Sequence, residues 1–409
     1  MKKSYIKKYA QLIVETGANV QKGQRVIINA SVEIYDFVKD VMYYCYKRKA
    51  KAVTVNWSYQ PLTLLHNKYC SVKTLAEVPN WVKEKQQFYV DENPVYIHIL
   101  SDDPDGLKGM DQAKAREVRA ITYPILKPYI DASNNRYQWV IAGYPSEKWA
   151  KKVFPELSKS KAKEALLKAI LETSRAYNDN PIEAWKIHNE NLNKRVDWLN
   201  SLNLRALKYK SSNGTDFKVG LIDDALFMAG KEKTLGSNIT YNPNIPSEEV
   251  FTSPKKGEID GAVYSSKPLS YNGEIIDDFH IVFENGKVKE VHARKNEELL
   301  KHMVSMDEGA SFLGEVALVP FNSPINNTNI LFFNTLYDEN ASCHLALGRG
   351  FENVIKDYEK YSQEELINKG INQSMIHVDF MIGSEDLNIT GIDKNGKEIP
   401  IFINGNWAN

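Results

Sequence analysis

The run Met375-Ile-His377-Val-Asp379-Phe-Met381 sets an imidazole and a carboxylate two residues apart inside an otherwise apolar stretch with no cation nearby in sequence. In a β-strand, residues i and i+2 point to the same face, so the two polar groups converge on one spot. Burying a carboxylate beside an imidazole costs several kcal/mol unless a positive charge lies against them. A divalent metal meets that need. The plain alternative is a half-exposed strand with a solvated Asp379 and an incidental His377.

Three further clusters bear on that choice. Gly314-Glu315-Val-Ala-Leu-Val-Pro320 places one carboxylate at the mouth of a short apolar run bounded by Gly and Pro, the pattern of a buried strand. Tyr337-Asp338-Glu339-Asn340-Ala-Ser-Cys343-His344 brings two acids and a histidine within one or two helical turns. Asn242-Pro-Asn-Ile-Pro-Ser-Glu248-Glu249-Val-Phe-Thr-Ser-Pro254 holds an acid pair in a segment that its prolines fix as an ordered loop. Each cluster alone is equally readable as a solvated acidic face. Together they offer carboxylate and imidazole donors that suit Zn, Co or Mn, and so anionic a set fits two ions better than one. Paired ions about 3.5–4 Å apart can polarise a carbonyl and activate a water together.

Composition narrows the class. The 409 residues exceed what one core usually supports, so two domains are expected. The 52 basic and 52 acidic side chains balance, which gives no global field for nucleic acid or an anionic membrane surface. Three cysteines, Cys45, Cys70 and Cys343, form no C-x-x-C pair and suit a reducing compartment. Cys343 beside His344 could be read as a thiol dyad, but adjacent residues on a helix or strand point apart. The amino-terminal Met1-Lys-Lys-Ser-Tyr-Ile-Lys-Lys-Tyr9 lacks a following apolar h-region, and no stretch approaches about 18 uninterrupted apolar residues. A cytoplasmic location is therefore expected.

Through residue 204 the pattern alternates helix and strand. Ile34, Phe37, Val38, Val41, Met42, Cys45 and Tyr46 recur at three and four, predicting an amphipathic helix between the strands Arg25-Val-Ile-Ile-Asn29 and Ala52-Val-Thr-Val-Asn-Trp57. Further strands, Val95-Tyr-Ile-His98-Ile-Leu100 and Trp139-Val-Ile-Ala142, imply a mainly parallel sheet with helices on its faces. His98 reads as a packed core residue, and no Gly-rich phosphate loop follows any strand. Helical periodicity from Lys159 to Asn203 turns Trp185, His188, Trp198 and Leu199 inward. Beyond it Asn-Gly recurs at Asn213, Asn272, Asn285, Asn395 and Asn404, and His280-Ile-Val-Phe-Glu-Asn-Gly-Lys-Val-Lys-Glu-Val291 reads as a type I′ hairpin. The expectation is an α/β amino-terminal domain over 1–204 and a β-rich α+β catalytic domain over 205–409 that carries all four clusters.

In order and spacing, Glu248-Glu-Val-Phe-Thr-Ser-Pro254, Gly314-Glu-Val-Ala-Leu-Val-Pro320, Asp338-Glu-Asn-Ala-Ser-Cys-His-Leu-Ala346 and Ile376-His-Val-Asp-Phe-Met-Ile-Gly383 resemble the motifs of the M29 metallo-aminopeptidases. The resemblance spans about Tyr5 to Trp407. It implies that Glu249, Glu315, Glu339, His344, His377 and Asp379 are metal ligands for two divalent ions (Zn, Co, Mn or Mg), with Glu248 a neighbour. Glu339 is either a ligand or the general base, or both in turn. The activity implied is removal of amino-terminal residues from peptides with a free amino terminus, by a metal-activated water whose proton Glu339 accepts. A homodimer is implied as well. The family usually has a tyrosine seven residues after the motif histidine, where this chain has Phe351. That leaves three readings, a lost oxyanion donor for which a neighbour such as Tyr337 substitutes, a member that is slow or has moved to another substrate, or a residue that only packs. A non-catalytic binding member of the fold, and a metal-dependent hydrolase of a non-peptide amide or ester, are the competing functions.

Overall fold

Short runs of β-branched and aliphatic residues build the first sheet of the computed structural model, which describes residues 2–409. β1 (Arg25–Ser31), β2 (Ala52–Ser58), β3 (Val95–Leu100) and β4 (Trp139–Gly143) run parallel in the order β4-β3-β1-β2. Val26, Ile27 and Ile28 of β1 are all buried, as an inner strand covered on both faces requires, while β3 alternates, burying Val95, Ile97 and Ile99. The helix Tyr35–Lys47 between β1 and β2 turns Phe37, Val38, Val41 and Cys45 inward. Tyr46, expected on that face, is exposed, because it sits about 100° round the helix from Cys45. His98 is a packing residue: its ring stacks on Tyr96 at 6.2 Å and its Nδ1 lies 3.3 Å from the Asn29 amide. The long helical stretch divides into Lys159–Thr173 and Pro181–Ser201, with Trp185, His188 and Leu199 buried.

Two compact units result, Met1–His188 with Lys231–Pro246, and Asn189–Gly230 with Ser247–Asn409. This division differs from the expected boundary at 204. The segment Lys231–Pro246 returns to the first unit because its two-residue strand Asn244–Ile245 pairs in parallel with β4 and covers an otherwise open edge. Flanked by Pro243 and Pro246, so short a strand leaves no periodicity to read.

The second unit contains a nine-stranded sheet and a five-stranded sheet. In the larger, the strands Glu274–Glu284 and Lys287–Lys295 meet at Asn285-Gly286, whose φ values of 51° and 81° are those of the type I′ turn expected there. The smaller consists of β5 (Met228–Ala229), β6 (Val250–Thr252), β7 (Leu313–Leu318), β8 (His344–Gly348) and β9 (His377–Met381). It is antiparallel throughout, in the order β9-β8-β7-β6-β5. Val250, Val316, Leu318, Leu345, Leu347 and Phe380 from these strands join one apolar core. Among the described residues no helix is long and apolar enough to cross a membrane.

Candidate metal centre

Strand alternation sends that apolar set to one face of the smaller sheet and leaves the other face to the candidate ligands. His344 pairs with Ala317, Glu315 and Asp379 both lie opposite Ala346, and His377 lies opposite Gly348. Residues paired across strands share a face, so Glu315, His344, His377 and Asp379 stand together above a floor of small residues. Glu249 precedes by two residues Phe251, which pairs with Ala317, and so joins the same face.

Glu315 reaches that face only through a break in the ladder. Leu313 and Glu315 are two apart and in a regular strand would point the same way, yet Leu313 belongs to the apolar core. The register slips at Gly314, with Leu313 opposite Leu347 and Glu315 opposite Ala346, so one extra residue reverses the alternation. Gly314 is also the one residue type that fits, since a Cβ there would lie 2.3 Å from the Arg349 carbonyl oxygen.

The result is two triads, Glu249-Glu315-His344 and Glu315-His377-Asp379, whose donor atoms all lie within 4.8 Å of one another in each set. Glu315 is common to both. His344 Nε2 is 3.2 Å from Glu249 Oε2, and His377 Nε2 is 3.1 Å from Glu315 Oε2. The far sides of the rings are fixed by backbone carbonyls: His377 Nδ1–H donates to Arg349 O at 2.7 Å and His344 Nδ1–H to Ser342 O at 3.2 Å. A carbonyl only accepts, so each ring offers Nε2 to the cluster, the arrangement that orients metal-binding imidazoles. Asp379 Oδ1 is buried without a hydrogen-bond partner, 3.3 Å from His377 Nε2 but outside hydrogen-bond geometry. Three carboxylates, one of them with an orphaned oxygen, and two Nε2 atoms presented to the cluster fit divalent metal.

Without metal, the electrostatics are those of acids crowded out of water. Burial, then the charges of Asp379 and Glu249, push Glu339 well above the usual carboxylate range. Burial likewise raises Glu315 to about 7 against the pull of His377. Burial alone would depress both imidazoles. The surrounding carboxylates outweigh it, lifting His344 to about 10 and His377 well above its ordinary value. Asp379 is held low: burial opposes this, and the His377 charge overcomes it.

Of the six residues expected from sequence, five make up the triads, and Glu339 stands beside them within neither. It ends the short helix Thr335–Glu339, where Asn340 Nδ2 reaches its Oε1 at 3.3 Å. The Asn340 amide oxygen accepts from the Glu248 backbone N–H at 2.7 Å, tying the Glu249 loop to the Glu339 helix. Glu248 belongs to neither triad. Cys343 is buried, its Sγ donates to Val319 O, and burial pushes its thiol up to about 12, which removes the dyad reading. Phe351 packs its ring 4.9 Å from that of His377 and 5.3 Å from that of Phe251. Tyr337 is fully buried and stacked on Phe332 at 4.7 Å. Gly314, Asn340 and the carbonyls of Arg349 and Ser342 were not singled out from sequence. Only Gly314 left a signal there, as the residue next to Glu315.

The chain is similar to known proteins along nearly its whole length. Aminopeptidase AmpS of Bacillus subtilis is 43% identical over 401 residues, covering 98% of this chain and 97% of its own. The solved structure of wild-type AmpT from Thermus thermophilus is 34% identical, covers 100% of both chains and superposes with a TM-score of 0.89. A 2,5-dihydroxypyridine dioxygenase from Pseudomonas putida covers 99% of the chain at 12% identity and a TM-score of 0.52, a likeness of fold alone. One fold thus hosts unlike chemistries, and the side chains of the site have to decide between them. The family model for thermophilic metalloproteases matches residues 2–407, and the chain belongs to that family, M29.

Proposed function

We propose that this chain is a metal-dependent aminopeptidase that removes amino-terminal residues from peptides by means of two divalent ions. The observation that carries the reading is Glu315, one carboxylate shared by two triads that each contain one histidine. Glu249, His344 and Glu315 would hold one ion, and Glu315, His377 and Asp379 the other. When bound, such a pair supplies Lewis acidity and brings the pKa of a water towards neutrality. The burial of Glu249, Glu315, His344 and Asp379, with His377 partly buried beside them, keeps bulk water from most of the cluster and strengthens charge interactions at the reacting carbonyl.

Glu339 stands beside both triads, and we assign it the base: its carboxylate accepts a proton from the attacking water and returns it to the departing amine nitrogen. The C–N bond breaks, a C–O bond forms, and the products are a free amino acid and a shortened peptide. The ligand roles, the count of two ions and the choice among Zn, Co, Mn and Mg are part of this proposal. So are a homodimer, which suits the exposed Leu62, Leu65 and Trp81, and a cytoplasmic location, which suits three unpaired cysteines.

Hydrolysis of leucine p-nitroanilide against its N-acetylated form, in protein loaded in turn with each metal, tests the reading. An aminopeptidase cleaves only the free-amine substrate. Equal cleavage of both would point to a general amide or ester hydrolase, and cleavage of neither by a metal-replete protein to a binding member of the fold.

A further inference from the structure

The Arg349 carbonyl that fixes His377 lies between two glycines, Gly348 and Gly350, in a turn that leaves β8 with Gly348 at a φ of 105°. Glycine restricts neither flanking torsion, so the local chain does little to aim that carbonyl. Hydrogen bonds have to hold it. The amides of Gly348, Arg349 and Gly350 donate to the carbonyls of Phe312, Ile376 and Asn372 at 2.8, 2.7 and 2.9 Å, and the Phe351 amide donates to Ser253 Oγ at 2.7 Å. Asn372 enters this turn twice. Its backbone oxygen receives Gly350 N–H, which shares a peptide plane with the Arg349 carbonyl, and its Nδ2 donates to the Gly348 oxygen on the plane before, at 2.6 Å. Nδ2 donates also to the Gly309 oxygen at 2.8 Å, where the short helix Gly309–Ser311 leads into β7. Both partners are carbonyls, which only accept, so the orientation of the amide is fixed. Asn372 is 1% exposed, and its Oδ1 is buried without a partner. An unmet buried acceptor destabilises a fold, so what the amide contributes is the pair of bonds its Nδ2 makes.

We propose that Asn372 is a positioning residue for the metal centre: it holds the Arg349 carbonyl where it receives His377 Nδ1–H, and so aims His377 Nε2 at Glu315 and Asp379. Nε2 lies 3.1 Å from Glu315 Oε2 and 3.3 Å from Asp379 Oδ1. Without the side-chain amide, the glycines on either side let the Arg349 plane turn, and the ring loses its fixed acceptor. A metal that binds Nε2 must then order the ring itself. Partners that orient a ligating imidazole are worth about 10–100-fold in metal affinity. That consequence rests on the cluster being a metal site, whereas the aim of the ring does not.

The test compares wild type with Asn372→Ala, Asn372→Ser and a control, Asn200→Ala, which also loses two side-chain bonds to backbone, both at Phe227 and neither at the triads. Zinc affinity is read by competition with a chromophoric chelator. The His377 ring N–H is read as a low-field proton resonance of 15N-histidine-labelled, metal-stripped protein, identified by its loss in His377→Ala. In Asn372→Ala one zinc site should weaken about tenfold or more, and the ring resonance should vanish through exchange with water. Asn372→Ser, the milder change, should move both readouts the same way. Asn200→Ala should melt lower than wild type with zinc affinity and ring resonance unchanged, which separates positioning from mere loss of stability. A folded Asn372→Ala with wild-type zinc affinity overturns the proposal, as does weakened zinc binding with an unchanged ring resonance, or a wild type that shows no such resonance. Failure of both Asn372 variants to fold overturns it too, since the residue would then be structural. A wild type that binds no zinc refutes the metal reading instead, and the ring resonance still decides the role of Asn372.

Discussion

Replacing Gly314 by alanine tests whether the break in β7 builds the metal site. The new Cβ would lie 2.3 Å from the Arg349 carbonyl oxygen and 2.5 Å from that of Gly348, far inside the contact distance of real Cβ atoms. Both obstacles are backbone, at the end of β8 and just beyond it, so neither can swing aside as a side chain would. Overpacking of this kind costs about 1–3 kcal/mol, which in a unit of this size lowers the melting temperature by about 3–10 °C. The functional effect should be larger than the stability effect. Gly314 sets the direction of Glu315, the carboxylate common to both triads, and the displaced Arg349 carbonyl is the acceptor that orients His377. Metal content measured by elemental analysis should therefore fall well below that of wild type, even at temperatures where circular dichroism shows the variant folded. Gly350→Ala is the control, since its Cβ would meet nothing closer than Ser253 Oγ at 3.1 Å. A Gly314→Ala protein that melts within 2 °C of wild type, on the ~1 kcal/mol scale of an ordinary surface change, and binds its full complement of metal would refute the role given to the bulge.

Other outcomes follow from the same geometry. Phe351→Tyr should raise kcat about tenfold with little change in KM, if a hydroxyl beside the His377 ring stabilises the oxyanion; a variant both less stable and no faster shows that Phe351 only packs. His377→Ala and Asp379→Ala should each lose metal by elemental analysis while far-ultraviolet circular dichroism stays close to wild type, because the first unit and the main core of the second lie elsewhere. Metal-stripped protein should lose stability as pH rises. His344, held at about 10 when folded against about 6.5 when unfolded, binds its proton more tightly in the folded chain, so that contribution is whole below pH ~6.5 and fades towards pH ~10. Loading displaces the proton, and the melting-temperature gap between loaded and stripped protein, followed by scanning fluorimetry from pH 6.5 to 9, should widen; a gap independent of pH contradicts the account.

What sequence disclosed of the site was chemistry out of place. His377 and Asp379 in an apolar run, and Glu315 between Gly314 and a run of aliphatic residues, could be seen because a polar side chain in a buried strand needs a stated partner. The parallel sheet was legible for a similar reason, since continuous aliphatic runs flanking the Tyr35–Lys47 helix fit few other folds. The groups that finish the site were not legible. Arg349 and Ser342 act through carbonyls that every residue possesses, so side-chain identity holds no trace of the role. Asn340 bonds to Glu248, 92 positions away, a separation no local pattern spans. The strand Asn244–Ile245 is too short for periodicity, so its pairing with β4, which returns the segment Lys231–Pro246 to the first unit, left no trace in the sequence.

The two faces of the smaller sheet explain why so polar a cluster is compatible with a stable fold. A slip of one residue between β8 and β9 would turn His377 and Asp379 towards Leu345, Leu347 and the apolar core, and would bring Val378 and Phe380 to the site. Burying an uncompensated carboxylate there costs several kcal/mol, far more than any apolar contact the slipped pairing could regain. The acids therefore specify the register that assembles them. In the metal-free chain the His344–Glu249 and His377–Glu315 pairs supply the compensating charge, and in the proposed metal-loaded enzyme bound ions would take that role. Register, burial and metal binding are then one constraint. Ala317, Ala346 and Gly348, the small residues opposite the ligands, leave room above the sheet for that constraint to be met.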